Sequence, residues 1–259
     1  MSNTIEAYAK INLGLNIVSK RADGYHNLET VFYPVYKIKD TLTIDTDIPE
    51  CQVHKCEITI NGLEIAGNSQ DNLIVKAYNL LDSKYSLPRV RITLDKRIPT
   101  QAGMGGGSSD CAATFRLLND RFNLNISNDD MRSMAATLGA DCAFFIDPQP
   151  SFATGIGEIL EPVNVSLDNY EIVVVKPDIA VSTKEAFSKI TPHKPEKCCK
   201  DIVQQPIETW QTELTNDFEQ SIFALYPEIG KIKESLYNDG AVYAAMSGSG
   251  SAVFGIFRI

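Results

Sequence analysis

Residues 99–110 read Pro-Thr-Gln-Ala-Gly-Met-Gly-Gly-Gly-Ser-Ser-Asp, and this segment is the most chemically suggestive in the chain. Four glycines allow backbone N–H groups to approach an anion closely, and a stretch with helical apolar spacing follows the two serines at once. A loop that opens directly into a helix is an anion cradle, because the helix N-terminus adds roughly half a positive charge. The hydroxyls of Ser108 and Ser109 are suited to bonding phosphate oxygens or a Mg2+ held by them. The spelling excludes two common phosphate loops. Walker A needs Gly-Lys-Ser/Thr at its end, which this loop lacks, and the dinucleotide fingerprint needs glycine where Ser108 or Asp110 stands. Asp110 suits a helix start but would repel a close phosphate, so its carboxylate is expected to point away from the cradle.

The elements that position this loop are legible as hydrophobic periods. Residues 5–17 alternate, with Ile5, Ala7, Ala9, Ile11, Leu13, Leu15 and Ile17 on one strand face and Lys10 and Asn12 together on the other. Strands are predicted near 28–37, 41–46, 56–60 and 89–94, with a helix capped by Asp71-Asn72 between the last two. Lys96 to Gly107 reads as an irregular loop and Ser108 to Phe122 as a helix. A helix capped at Ser127 and ended by Gly139 follows, then a short apolar strand at 143–146. The second half predicts strands at 170–176, 241–246 and 252–258, and helices at 184–190, 216–225 and 227–237. Residues 191–209 read as a surface loop or weak helix. Strands and helices mixed in both halves predict an α+β fold of two domains, 1–155 and 156–259, divided near Pro148 and Pro150.

Composition narrows the function class. The chain has 259 residues, 44% hydrophobic and 22% charged, which is ordinary globular usage. Its net charge of −9 argues against binding nucleic-acid polymers. The same charge does not argue against a nucleotide, since charge is screened beyond about 8–10 Å and a phosphate meets only the local field. The sequence shows no signal-peptide pattern and no apolar run long enough to span a membrane. The six cysteines form no CxxC and the three histidines no zinc pattern. Reduced thiols, a cytoplasmic location, no membrane partner and no structural metal are therefore expected.

Beyond these readings, the glycine loop resembles the phosphate loop of the GHMP kinase superfamily. Three further segments are similar to that family in order and spacing. They are Ala9-Lys10-Ile11-Asn12-Leu13 with Asp23-Gly24-Tyr25-His26, Leu138-Gly139-Ala140-Asp141, and Met246-Ser247-Gly248-Ser249-Gly250. Asn216-Asp217-Phe218-Glu219 also looks like a family motif. The resemblance covers nearly the whole chain and is strongest to the branch whose substrate is a cytidine diphosphate ester of methylerythritol. It implies an N-terminal domain resembling a ribosomal-protein fold and a ferredoxin-like C-terminal domain. ATP as co-substrate is implied at Ala102, Gly103, Met104, Gly105, Gly106, Gly107, Ser108 and Ser109, with Lys96 reaching the nucleotide. Mg2+ would be carried by ATP near Ser108 or Ser109 rather than by a fixed protein site.

The resemblance also implies roles for single residues. Asp141 would accept the proton of the substrate's 2-hydroxyl, and Lys10 would stabilise charge beside it. Asn12 would hold that hydroxyl. Tyr25 and Phe187 would stack on the cytosine, with hydrogen bonds from His26 and a polar contact from Thr183. One departure stands in the catalytic segment, where Ala143 replaces a proline common in the family. The implied product belongs to the non-mevalonate isoprenoid route, made by a monomer or weak dimer. Two rival readings remain: a kinase of mevalonate, homoserine or a sugar, and a non-catalytic nucleotide-binding regulator. Gly24-Tyr25-His26 favours a cytosine pocket over the first rival, and Lys10 with Asp141 favours catalysis over the second.

Overall fold

The computed structural model describes residues 2–48 and 54–259, so Cys51 lies outside the described residues. The chain forms two compact units that interleave along the sequence. The first comprises Met1–Ala9, Val35–Thr100 and Gly105–Pro148, and the second Lys10–Pro34, Gln101–Met104 and Gln149–Ile259. Two long strands, β1 (Thr4–Lys20) and β2 (His26–Asp45), pair with each other and run from one unit into the other.

In the first unit, β3 (Cys56–Gly62) lies parallel to β4 (Val90–Lys96), and β4 lies antiparallel to the far end of β2 with Leu42 opposite Leu94. Helix α1 (Leu73–Tyr85) starts where Asn72 accepts a hydrogen bond from the Ile74 N–H at 2.9 Å. It buries Ile74, Ala77, Tyr78 and Leu81 and packs against α2 (Gly106–Phe122). Helix α3 (Asn128–Ala136) is capped by Ser127, whose hydroxyl accepts from the Asp130 N–H at 3.1 Å.

In the second unit, the near end of β2 pairs with β5 (Ser151–Thr154), which pairs with β6 (Ile159–Pro162). A separate antiparallel sheet has the order β7 (Tyr170–Val175), β9 (Val253–Arg258), β8 (Tyr243–Met246). Short helices α4 (Thr183–Phe187), α5 (Cys199–Ile202) and α6 (Trp210–Glu213) precede α7 (Phe218–Leu225) and α8 (Pro227–Asn238). Leu15, Ile17, Phe218, Ile222, Ile229, Leu236 and Met246 form one core cluster of this unit. At about 25 cal/mol per Å2 of apolar surface removed from water, each such side chain contributes roughly 1.5–3 kcal/mol.

Four sequence expectations are corrected. The stretch 143–146 is not a strand: Ala140–Ile146 forms a 3-10 helix in which Cys142 through Ile146 are all buried. A short run that is apolar on every side carries no period to tell strand from helix. Helix α3 stops at Ala136, and Gly139 instead opens the 3-10 helix. The strands expected at 28–37 and 41–46 are one strand, β2, which runs unbroken through residues 38–40, and Asp40 within it is buried. Lys96 belongs to β4 rather than to a loop. Its inward stripe runs Val90, Ile92, Leu94, Lys96, with every second residue buried. The hairpin β5–β6 had no sequence signal strong enough to be read.

Candidate active site

Lys10 sits on the polar face of β1, as its alternation predicts, yet it is only 3% exposed. Its ammonium donates to Asn12 Oδ1 at 2.6 Å and to the Gly103 carbonyl at 2.9 Å, and lies 4.9 Å from the centre of the Phe32 ring. Asn12 is held in turn, donating from Nδ2 to Thr30 Oγ1 at 2.9 Å, and Thr30 donates to the Gly14 carbonyl. Asn12 thus ties Lys10 to Thr30. The i, i+2 spacing on one strand face is what brings the two side chains together.

The glycine loop is shaped by contact as well as by composition. At Gly103 φ is +71°, and a Cβ there would lie 1.9 Å from the Ser247 carbonyl oxygen, so only glycine fits. The Ser247 hydroxyl donates to the Gly103 carbonyl at 2.9 Å, and the Ala252 N–H donates to the Ala102 carbonyl at 3.2 Å. The Met104 carbonyl accepts from the Lys10 N–H at 3.0 Å. Asn216 fixes the Ser247 turn, donating to the carbonyls of Met246 and Gly248 at 2.7 and 2.9 Å. The C-terminal glycine motif thus shapes the loop.

Helix α2 begins at Gly106 after Gly105, which has φ +69° and offers no side-chain cap. A Cβ at Gly107 would meet open space but for Leu73 at 4.0 Å. Uncapped N–H groups beside open space fit an anionic ligand. The two serines differ: Ser109 is buried and Ser108 half-buried, so Ser108 presents the more accessible hydroxyl.

Asp141 lies half-buried in the first turn of the 3-10 helix. Beside it the Cys142 side chain is hydrogen-bonded to Cys111 and to Ser108, which ties this segment to the start of α2. The bond to Cys111 draws the Cys142 thiol below its ordinary pKa, and the same bond with burial drives Cys111 well above.

Lys96 is 2% exposed, with its ammonium paired to Asp40 and, at 2.9 Å, to Asp110. The Asp110 carboxylate turns into this buried pair. Burial pushes its pKa up to about 7, with Asp40 adding to the rise and Lys96 opposing it. Sequence reasoning missed Asp40, because its charge read as a strand end, and missed Thr30 within a plain strand.

Tyr25 is 61% exposed at the turn between β1 and β2. The His26 ring stacks on Phe187 with centroids 5.0 Å apart and an interplanar angle of 22°, and Phe187 meets Phe218 edge-on. Phe187 therefore shows a face to His26 rather than to open space. Thr183 is exposed one turn before Phe187 on α4. Among the described residues no cluster of three or more His, Cys, Asp or Glu could hold a metal, and no helix is long and apolar enough to cross a membrane.

The family is shown by comparison. The model for the GHMP kinases N terminal domain matches residues 72–148, and that for GHMP kinases C terminal matches 200–258. This chain belongs to the GHMP kinase family, has its two-domain α+β fold, and is a small-molecule kinase. A 4-diphosphocytidyl-2-C-methyl-D-erythritol kinase of Bacteroides thetaiotaomicron is 55% identical, over 96% of this chain and 90% of the relative. A crystal structure of 4-(cytidine 5'-diphospho)-2C-methyl-D-erythritol kinase superposes with a TM-score of 0.81 at 31% identity, covering 98% of this chain and 89% of the other. A homoserine kinase from Cytophaga hutchinsonii, at 16% identity, shares the fold with a TM-score of 0.68 over 100% of this chain and 86% of its own.

Proposed function

We propose that this chain phosphorylates the 2-hydroxyl of 4-diphosphocytidyl-2-C-methyl-D-erythritol with ATP, in the non-mevalonate route to isoprenoids. The observation that carries the substrate assignment is the 55% identity, over nearly the whole chain, to a kinase named for it. The glycine loop from Ala102 to Ser109 takes the ATP phosphates, on backbone N–H groups and the open start of α2. A Mg2+ bound with ATP would neutralise phosphate charge, and Ser108, the more accessible of the two serines, would be the hydroxyl to hold it.

The substrate's 2-hydroxyl oxygen bonds to the γ-phosphorus as the bond from that phosphorus to the β–γ bridging oxygen breaks, and ADP leaves. Asp141 accepts the hydroxyl proton. Lys10, aimed by Asn12, stabilises negative charge in the transition state. Tyr25 and Phe187 stack on the cytosine and Thr183 adds a polar contact. His26 reads the base edge, for which it must turn from its stack on Phe187. The enzyme acts in the cytoplasm as a monomer or weak dimer.

Coupled assays offering the cytidine substrate, mevalonate and homoserine test the assignment. Turnover of the cytidine compound alone is expected, and turnover of either rival without it would refute the reading. In Asp141→Asn, kcat should fall at least about 10²-fold with ATP affinity nearly kept. Unchanged turnover there would remove Asp141 as the base.

A further inference from the structure

The glycine loop leaves β4 at Arg97–Ile98 and returns at Asp110 on α2, and one buried cluster touches both ends. Asp40 Oδ1 accepts the backbone N–H groups of Arg97 at 2.5 Å and Ile98 at 2.8 Å. Its other oxygen takes the Lys96 ammonium, which also donates to Asp110 Oδ2 at 2.9 Å. The three residues are each at most 2% exposed. Gly106 makes room for this: a Cβ there would lie 2.9 Å from Lys96 Nζ and 2.9 Å from Ile98 Cγ2. The ammonium thus occupies the space under the first residue of α2.

The cluster holds two carboxylates against one ammonium, and Asp110 Oδ1 is buried without a hydrogen-bond partner. A buried polar group left unpaired costs about 1–3 kcal/mol. A simple ion pair between Lys96 and Asp40 would avoid that cost, so stability does not account for Asp110. Its geometry does: it is the contact through which the pair grips α2, where the loop ends.

We propose that Asp40, Lys96 and Asp110 are positioning residues that fasten both ends of the glycine loop and thereby hold it in the shape that takes ATP. Lys96 acts through the loop, in place of the direct nucleotide contact that the family resemblance implies. This inference rests on the reading of the loop as the ATP cradle.

The test uses the full chain and its Asp110→Ala and Asp110→Asn variants. Asp110→Ala leaves Lys96 and Asp40 as a neutral pair and frees only the helix end. Amides of residues 98–109 should exchange at least about fivefold faster, and KM for ATP should rise about tenfold, while kcat and KM for the cytidine substrate stay within about twofold. Asp110→Asn keeps an acceptor for Lys96 and should restore both readouts. Asp110→Ser, too short to reach the ammonium, replaces the alanine variant if that does not fold. An unchanged or lowered KM for ATP in Asp110→Ala would overturn the inference, a lowered one marking Asp110 as a mere repulsive charge. Wild-type loop amides should gain protection with MgATP. No protection would fell the ATP reading and this inference with it, whereas protection with an unchanged KM in Asp110→Ala would fell this inference alone.

Discussion

Two lysines border the glycine loop, both within a strand and both almost wholly buried, and the hydrogen-bond partners described for them differ in kind. Lys10 gives protons to an amide oxygen and a backbone carbonyl and lies over an aromatic ring. Lys96 gives its protons to two carboxylates. Lys10 is thus tied to Asn12 and to the glycine loop, and Lys96 joins β2 to α2 through two carboxylates. Residue type and burial are the same at both, so neither property alone says what a buried lysine does.

This contrast is open to direct attack. Lys96→Met should be the most damaging change, since it leaves Asp40 and Asp110 buried without a counter-charge. A loss of about 3–5 kcal/mol is expected in denaturant titration. A stable Lys96→Met would erase the distinction. Lys10→Met should remain folded and lose at least about 10²-fold in kcat, and unfolding rather than inactivation would invert the comparison. Asn12→Ala removes the aim and keeps the charge, so kcat should drop about tenfold with KM for ATP unchanged, as steady-state kinetics would read.

The smallest effect is one of pH. Between the unfolded value near 3.8 and the folded value of about 7, the native chain holds a proton on Asp110 that the unfolded chain has released. Stability contributed by this group therefore falls as pH rises through that window and is constant above it. Asp110→Asn does not titrate. Its Tm, measured relative to wild type, should gain a few degrees between pH 5 and pH 8, and a pH-independent difference would show that Asp110 stays ionised.

Much of this was legible in the sequence. Alternation over residues 5–17 placed Lys10 and Asn12 on one face, and both cap residues, Asn72 and Ser127, cap as read. The glycine loop stands out by composition, and residues 106–122 after it are helical much as their apolar spacing predicts. What stayed hidden are long-range partners. Nothing near Asp40 in sequence says that residues 96–98 and 110 will converge on it, so a buried charge read as a strand break. Thr30 and Asn216 act through residues far along the chain, which no local period encodes. The 3-10 helix that carries Asp141 defeated the period test because Cys142 through Ile146 have no polar side to count from.

The contact between Gly103 and Ser247 bears on synthesis. The loop carbonyl and the hydroxyl that binds it are separated by 144 residues. A nascent chain exposes the glycine loop long before the partner that gives it its shape leaves the ribosome. Contacts of such sequence separation form late. The polypeptide is therefore nearly complete before this loop can take its final shape, and stalled or truncated products lacking Ser247 will not form it.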